Sequence, residues 1–388
     1  MNRFRDLLLS LLVAMVALSS CRKEEEIIPS SRVRVGVPGR PGKIKGFFLL
    51  NEANMGSNKA TLDYYDYTTA FYTRNIYAER NPNVVKELGD VGNDLQIHGS
   101  RLYAVINVSG LIEVMDVRTA KHIGKLSIPN CRYIAFKDGF AYVSSYAGPV
   151  KIDPNARLGY VAKVDTATLK VVAECPVGYQ PEELLIHGDK LYVANSGGYR
   201  APNYDKTISI IDLKTFTEEK QVDVAINLHR LQLDNYGKIW ASSRGDYKGV
   251  PSRLFVFDPK TKRVTKTLEV ACSNMALSGD SLFVYSSEWS YLTGKNTISY
   301  TVIDTKKQEV IDRNFIKDGT DKEIQLPYGL AINSEQGELY LTDAQDYVHP
   351  GQLHCYDLKT GRRKWSVKTG DIPAHIAFTT QPLHPLHH

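Results

Sequence analysis

The repeating unit of this sequence is clearest in Thr207-Ile208-Ser209-Ile210-Ile211-Asp212-Leu213-Lys214-Thr215. The apolar residues that alternate before Asp212 predict a β-strand, because successive side chains of a strand face opposite sides of a sheet. The carboxylate of Asp212 can accept hydrogen bonds from the backbone N–H groups that follow it, which favours a tight turn. The segment therefore predicts a strand and the reversal that leads into the next antiparallel strand.

The same signal recurs along the chain as an apolar residue, Asp, two variable residues and then Thr or Lys. Its seven copies, separated by 50, 49, 47, 46, 46 and 53 residues, centre on Asp66, Asp116, Asp165, Asp212, Asp258, Asp304 and Asp357. A strand of the type Leu191-Tyr192-Val193 precedes most copies, and an alternating strand such as Arg263–Val270 follows. Four short antiparallel strands in each unit predict an all-β fold, a seven-bladed β-propeller with four-stranded blades.

The two ends of the repeat region complement each other. The first repeat, Gly46–Asn51, begins directly with a second strand, whereas Pro373–Phe378 is an inner strand that no repeat follows. We therefore expect the C-terminal strand to complete the first blade, which closes a single propeller over residues 46–380 and leaves 381–388 as a tail. Closure removes the exposed sheet edges that promote aggregation. Two separate β domains are the alternative arrangement.

The N-terminus has the pattern of an export signal. A basic start, the apolar run Leu7–Leu18 and small residues indicate a signal peptide over residues 1–20. Leu18-Ser19-Ser20-Cys21 matches the bacterial lipobox, which predicts that Cys21 carries the lipid, including palmitate-type acyl chains. An ordinary signal peptide cut near Cys21 is the alternative.

The residues after Cys21 suggest where the protein is displayed. Arg22-Lys23-Glu24-Glu25-Glu26 resembles the tag by which Bacteroidetes send lipoproteins to the outer face of the outer membrane. Charge, Pro and Gly then dominate, so residues 21–45 are predicted to be a flexible tether. We expect a lipid-anchored outer-membrane protein that faces the cell exterior; a merely solvated linker is the alternative for the charged tag.

Composition and motif content exclude several classes of function. The 48 basic and 43 acidic residues are interspersed, which argues against a nucleic-acid partner. The chain contains none of the common catalytic or nucleotide-binding motifs, so no enzyme activity and no cofactor are predicted. Cys131, Cys175, Cys272 and Cys355 form no CxxC pair, and we expect buried free thiols in place of a structural metal site.

Candidate binding residues follow from the connections between strands. In a propeller, the loops that join second to third strands, and fourth strands to the next blade, gather on one face around the channel mouth. Several of them are long and aromatic: Tyr146–Gly159, Gly197–Asp205, Arg244–Lys248, Glu288–Tyr291 and Gln345–His349. Aromatic groups with polar neighbours suit a large, partly flat ligand, although long loops of this kind can also be merely tolerated.

From these loops and the inner strands we select eight candidate ligand contacts. Six belong to the rim and two lie deeper: Tyr199, Arg200, Arg244, Tyr247, Trp289 and Tyr347, then Arg132 and Arg230. Polar residues that open the inner strands are expected to face the channel: Asn93, Asp94, Arg132, Glu182, Glu183, His229, Arg230, Asn274, Tyr328 and His375. These residues are compatible with a metal site, or with polar channel groups that hydrogen-bond to one another and to bound water. No metal site is predicted.

Three motifs resemble those of the YVTN/YncE-like propeller family: Gly178-Tyr179-Gln180-Pro181, Leu191-Tyr192-Val193-Ala194-Asn195 and Ile211-Asp212-Leu213-Lys214-Thr215. Together with the leader and the charged tag, the blade count and chain length resemble the BtuG-type proteins that capture vitamin B12. That resemblance implies corrinoid binding at the loop-rich face and transfer to a TonB-dependent outer-membrane transporter, with cobalamin as transported ligand and not as cofactor.

Two other functions are compatible with the same residues. One is a surface scaffold that binds glycans or proteins. The other is a metal-dependent, lactonase-like hydrolase, in which Glu182 or Asp94 would be required.

Overall fold

The computed structural model describes residues 30–84, 87–291 and 293–385. The signal peptide, Cys21 and the charged tag predicted from the sequence lie outside these ranges. The described chain forms seven antiparallel sheets arranged as blades. The predicted all-β, seven-bladed propeller is confirmed.

Blades 1 to 4 follow one another along the chain. The strands of blade 1 are β1 (Ser31–Arg34), β2 (Gly46–Asn51), β3 (Thr61–Asp66) and β4 (Phe71–Arg74). Those of blade 2 are β5 (Gly92–His98), β6 (Arg101–Ile106), β7 (Leu111–Asp116) and β8 (His122–Ser127). Those of blade 3 are β9 (Cys131–Lys137), β10 (Phe140–Ser145), β11 (Tyr160–Asp165) and β12 (Lys170–Pro176). Those of blade 4 are β13 (Pro181–His187), β14 (Lys190–Asn195), β15 (Thr207–Asp212) and β16 (Thr217–Asp223).

Blades 5 to 7 and the closing strand complete the ring. The strands of blade 5 are β17 (Leu228–Leu233), β18 (Ile239–Ser243), β19 (Arg253–Asp258) and β20 (Arg263–Leu268). Those of blade 6 are β21 (Asn274–Ser278), β22 (Ser281–Ser290), β23 (Lys295–Asp304) and β24 (Glu309–Asp312). Those of blade 7 are β25 (Pro327–Asn333), β26 (Glu338–Asp343), β27 (Pro350–Asp357) and β28 (Arg363–Asp371), and the last strand is β29 (Pro373–Thr379).

The ring closes through the last strand, as the chain ends predicted. β29 pairs antiparallel with β2, with Gly46 opposite Thr379 and Leu49 opposite Ile376. The seven inner strands, of which β29 is one, contact each other in a continuous circle around the channel. Both faces of each sheet are therefore covered by neighbouring blades, and apolar side chains from adjacent blades form the shared cores.

The recurring Asp residues act as the sequence predicts. Each of the seven ends the third strand of its blade. Asp212 Oδ1 accepts hydrogen bonds from the backbone N–H groups of Lys214 and Thr215, at 2.8 and 3.0 Å. Asp165 makes the equivalent bonds in blade 3. The repeat is thus the physical signature of one tight turn at one face of each blade.

The N-terminal segment differs from the predicted tether. Ser31–Arg34 forms the outermost strand of blade 1 and pairs with β4, so a flexible segment that extends to residue 45 is not what the structure shows. The guanidinium of Arg32 lies 4.0 Å from the centre of the Phe71 ring, and Val35 is buried. Apolar and stacking contacts therefore fix a segment whose charge and Pro content favoured mobility.

The C-terminal tail is also held by contacts in its described part. The backbone N–H of Leu383 donates to the Tyr64 hydroxyl at 3.2 Å, and Arg80 Nη1 donates to the His384 carbonyl at 2.8 Å. Leu383 packs against the core between blades 1 and 2. These contacts attach Leu383 and His384 to blades 1 and 2.

In the part of the chain that the structure describes, regular helix is limited to one short segment, α1 (Ile76–Arg80), and a 3₁₀ turn at Thr320–Glu323. Within the described ranges, no helix is long and apolar enough to cross a membrane. Cys131, Cys175, Cys272 and Cys355 are buried free thiols, which confirms that expectation.

Candidate functional site

A cavity of about 610 Å³ opens at one mouth of the channel. All seven blades and the closing strand contribute to its wall, from Glu52 in blade 1 to Tyr347 in blade 7. The connections around it are those between second and third strands, and we call this side the loop face: 52–60, 107–110, 146–159, 196–206, 244–252, 291–294 and 344–349. The volume lies within the range of small-molecule sites, roughly 300–1,000 Å³.

Exposed aromatic side chains are concentrated at this mouth. Within the described part of the chain, five aromatic residues are exposed, and four of them belong to the loop face: Tyr199, Trp289, Tyr291 and Tyr347. Trp289 is 42% exposed and lies perpendicular to Tyr291, with ring centres 6.5 Å apart. Large aromatic surfaces left in contact with water at the edge of a cavity are typical of ligand contacts.

Two of the rim tyrosines are held in an unusual backbone conformation. Tyr247 has φ +61° and Tyr347 has φ +66°, in the left-handed region that bulky residues rarely adopt. A neighbouring carboxylate fixes the first loop, because Asp246 Oδ1 accepts hydrogen bonds from three successive N–H groups, those of 248–250. Asp346 bonds to the backbone and the ring of His349 in the same way. The same conformation occurs in turns away from the cavity, as at Leu169 and Phe216, so here it indicates a tightly turned loop.

The edge at Trp289 is built differently from the predicted loop. Glu288, Trp289 and Ser290 do not lie in a loop, because β22 and β23 continue as a paired hairpin up to the Ser290–Lys295 pair. Trp289 therefore projects from a strand. A side chain on a paired strand is more firmly placed than one on a free loop.

The floor of the cavity contains a buried ion-pair network around Glu182, whose side chain is 1% exposed. Arg132 Nε and Nη2 both lie 3.1 Å from Glu182 Oε2, and Arg244 Nη1 lies 3.1 Å from Oε1. Tyr146 also donates to Oε1 through a short hydrogen bond. Burial opposes ionisation, but Arg132 and Arg244 outweigh it and lower the pKa of Glu182, so this carboxylate is charged at neutral pH.

A second network lies beside the first. Arg230 Nε is 3.3 Å from Glu183 Oε2, and Arg230 Nη1 donates to the Tyr133 hydroxyl at 3.3 Å. The Tyr133 hydroxyl is 2.9 Å from His229 Nε2. Burial and the nearby arginines hold the pKa of His229 well below its usual range, so the ring is neutral at neutral pH. Burial raises the pKa of Glu183 in spite of Arg230.

The third polar group lies where the closing strand meets blade 7. Glu52 accepts a hydrogen bond from the Tyr328 hydroxyl at 2.7 Å, and its other oxygen is 2.9 Å from His375 Nε2. Tyr328 packs edge-on against the rim residue Tyr347, with ring centres 6.0 Å apart. The floor and the aromatic rim are thus joined through direct contacts.

The structure brings most of the predicted contacts together. Seven of the eight line the cavity: Tyr199, Arg244, Tyr247, Trp289, Tyr347, Arg132 and Arg230. Arg200 does not line it, because its guanidinium lies 3.5 Å from the centre of the Tyr179 ring and Nη1 donates to the Asn203 carbonyl. A local stacking partner holds this side chain outside the site.

Sequence reasoning missed several wall residues. Glu52 and Met55 lie in the connection between β2 and β3, and the blade rule applied to the first repeat would have found that loop. Tyr133 follows Arg132 on β9. It was missed although the adjacent pairs Glu182/Glu183 and His229/Arg230 were both expected to face the channel, and the same reasoning applied to Arg132 would have included it.

Two residues considered as metal ligands are occupied by protein donors. Asp94 accepts hydrogen bonds from the backbone N–H groups of Leu95 and Ile134, at 2.8 and 3.0 Å. Glu182 is surrounded by Arg132, Arg244 and Tyr146. Over the described residues, no group of three or more His, Cys, Asp or Glu side chains could hold a metal ion. Asp94 therefore joins blade 2 to blade 3.

Solved structures share the architecture. Hydrazine synthase from Kuenenia stuttgartiensis has a TM-score of 0.54 and 18% identity, over 69% of this chain and 77% of that one. The Pan2 WD40 domain of Neurospora crassa has a TM-score of 0.50 and 13% identity, over 75% of this chain and 80% of that one. At such identities the likeness concerns the fold alone.

Sequence comparison gives the family. No curated protein matches this chain. Residues 45–379, which span the propeller from just before β2 to the end of β29, match the family described as "Domain of unknown function (DUF5074)". The chain therefore belongs to the DUF5074 family.

Proposed function

We propose that this protein is a lipid-anchored surface protein that binds a vitamin B12-type corrinoid at the mouth of its channel and passes it to a TonB-dependent outer-membrane transporter. The observation that carries the binding part is the aromatic rim around a polar floor. Four exposed aromatic side chains lie at the loop face, three of them line the cavity, and seven predicted contacts converge on the same cavity.

The geometry suits a ligand with a flat face and polar edges. A corrin ring offers an extended surface for Trp289 and the rim tyrosines, and its amide side chains match the Asn, Arg and carboxylate groups of the wall. The ring would lie across the mouth, with its edge groups in the 610 Å³ cavity. Because tightly turned loops and a paired hairpin fix the rim in advance, little conformational entropy is lost on binding.

The location and the transfer step rest on other support. Leu18–Cys21 and the charged tag motivate the anchor and its outward display. The BtuG-type resemblance motivates the corrinoid and the transporter. These parts can fail while the binding part holds.

Glycan binding is the second candidate, because Trp289 and Tyr291 present flat exposed faces on which sugar rings also stack. A neutral glycan carries no acidic group that would pair with the three arginines beneath that surface. The floor therefore favours the corrinoid.

Calorimetry of the purified protein with cyanocobalamin tests the proposal, and a set of neutral oligosaccharides is titrated in parallel. We expect saturable corrinoid binding and no heat from the sugars. Absence of corrinoid binding at high micromolar concentration would contradict the corrinoid proposal. Saturable sugar binding would favour the glycan candidate in its place. Deletion of the gene should lower corrinoid uptake at limiting concentration if the transfer step is correct.

A further inference from the structure

The arginines of the floor retain donors that the protein does not use. Arg244 engages Glu182 through Nη1 alone, and Arg230 reaches Tyr133 through Nη1. Among the described residues, no hydrogen bond is made by Nε or Nη2 of Arg244 or by Nη2 of Arg230, whereas Arg230 Nε faces Glu183 Oε2 at 3.3 Å. Buried N–H donors of a charged group are costly when unsatisfied. Both guanidinium groups belong to the cavity wall, where a ligand can reach them.

The charge of the wall indicates what those donors bind. The lining residues include Arg132, Arg230, Arg244 and Lys248. They face two lining carboxylates, Glu52 and Glu288, both already hydrogen-bonded to other groups of the protein. Glu182 and Glu183 lie behind the wall and compensate only part of the guanidinium charge. Guanidinium donors that remain free in such a recess recognise carboxylate or phosphate oxygens.

We propose that Arg230 and Arg244 bind a phosphate diester of the ligand that the rim holds. This inference rests on the proposed function, since cobalamin carries one such diester, in the loop that links its ring to the nucleotide base. Its other acid groups are amides, so the diester is the anionic group this ligand offers.

The consequence is that the site distinguishes complete corrinoids from incomplete ones. The rim contacts the ring that all of them share. The arginines contact the diester, which cobinamide lacks. Truncated corrinoids should therefore enter the same site but be held less firmly.

The test is a set of titrations with cyanocobalamin, dicyanocobinamide and cobinamide phosphate. We expect the protein to bind cobinamide at least about tenfold more weakly than cobalamin, the effect of losing one charge-assisted hydrogen bond. Cobinamide phosphate, which has a phosphate but no base, should recover most of that difference. Equal affinity for cobalamin and cobinamide would overturn the inference, and so would a failure of cobinamide phosphate to recover, which would assign the difference to the base.

Variants of the two arginines provide an independent test of the inference. Arg230→Gln and Arg244→Gln should each lower the affinity for cobalamin by about tenfold and leave the affinity for cobinamide within about twofold of the unmodified protein. Arg253→Gln is the matched control, because Arg253 pairs with Glu269 away from the cavity. Melting temperatures identify a variant that has lost its fold, and such a variant weakens both ligands. Equal loss for both ligands in a folded variant would contradict the assignment.

A last arm separates this inference from the proposed function. If no corrinoid binds, the proposed function fails, and dimethyl phosphate is titrated while the His229 ring is followed by NMR. A saturable shift that disappears in Arg230→Gln would support a diester site for another ligand. No shift up to tens of millimolar would overturn the inference as well.

Discussion

The two ends of the channel are built from the same repeat but differ in the length of their connections. At the loop face, connections between second and third strands reach 14 residues, as in 146–159, and three of the four exposed aromatics lie in such connections. At the other end, which we call the turn face, seven Asp-capped turns such as 212–217 reverse the chain tightly. The comparison teaches that a closed ring fixes the strands and one set of turns, whereas the other connections are free to vary and acquire function.

The two faces also differ in their electrostatics. Two turn-face carboxylates have partners that lower their pKa, Lys190 for Asp212 and Lys137 for Asp189. In the cavity, burial raises the pKa of Glu183, and Arg244 and Arg230 each make a hydrogen bond through Nη1 alone. The turn face is therefore arranged for stability, while the cavity retains guanidinium donors that are not hydrogen-bonded within the protein. This is the usual cost of a binding site.

The largest effect is expected at the centre of the floor. Glu182→Gln leaves Arg132 and Arg244 facing each other without a countercharge, and breaking a buried ion pair costs about 3 kcal/mol. We expect the melting temperature to fall by about 5 °C and cyanocobalamin affinity to fall at least tenfold. Asp189→Asn is the turn-face control and should leave both quantities unchanged. Equal effects in calorimetry of the two variants would contradict the contrast between the faces.

The next effect concerns the aromatic rim. Trp289→Ala removes an exposed stacking surface and should weaken cyanocobalamin about tenfold. Tyr236 is exposed to a similar extent, 45%, but lies at the turn face and bonds to Asp280. Tyr236→Ala should therefore leave affinity unchanged. If Trp289→Ala stays within about twofold in titration calorimetry, the rim is not the ligand surface.

A smaller effect is expected from the Asp residues whose carboxylates accept backbone hydrogen bonds in the connections at each face. Asp246→Ala removes the acceptor for three N–H groups and frees the Tyr247 backbone. We expect a three- to fivefold loss of cyanocobalamin affinity, from the cost of ordering the loop. Asp165→Ala removes the equivalent acceptor at the turn face and should not alter affinity. Similar affinities of the two variants would show that the loop is not preorganised for binding.

The smallest expected effect concerns the contribution of the Glu183 charge to stability and how it changes with pH. Because the pKa of Glu183 is raised in the folded protein, its charged form lowers stability at pH 7, and that cost disappears as the pH falls. Glu183→Gln removes that cost but also the countercharge of Arg230, so the two effects oppose each other and the melting temperature at pH 7 should fall less than in Glu182→Gln. Asp212 has a lowered pKa, so Asp212→Asn should lower the melting temperature slightly at pH 7. A fall in Glu183→Gln as large as that in Glu182→Gln would refute the assignment.

Most of the fold could be predicted because its determinants are local. Asp212 and its six counterparts mark turns made of a few consecutive residues, and their spacing counts the blades. The closing strand followed from what each chain end lacked. β1 could not be predicted in this way. Ser31–Arg34 is stabilised by pairing with the edge of β4 and by the contact of Arg32 with the aromatic ring of Phe71, both of which are distant in sequence.

The site was predictable to the level of loops but not of single side chains. Blade geometry placed Tyr247 and Trp289 at one mouth. It gave no information on Arg200, whose direction is set by the Tyr179 ring. The partnership of Arg132 and Arg244 with one carboxylate joins three blades, and no pattern within a single repeat encodes it.

The pairing of β2 with β29 has a consequence for the order of events during synthesis. Gly46 is made early, but its partner Thr379 emerges more than 300 residues later. Until then, Phe47, Leu49 and their neighbours present an unpaired apolar edge, a template for association with other chains. Long-range pairing of this kind also slows folding. We expect the nascent chain to depend on a holding chaperone until its last strand is available, and a chain that ends before residue 373 to aggregate.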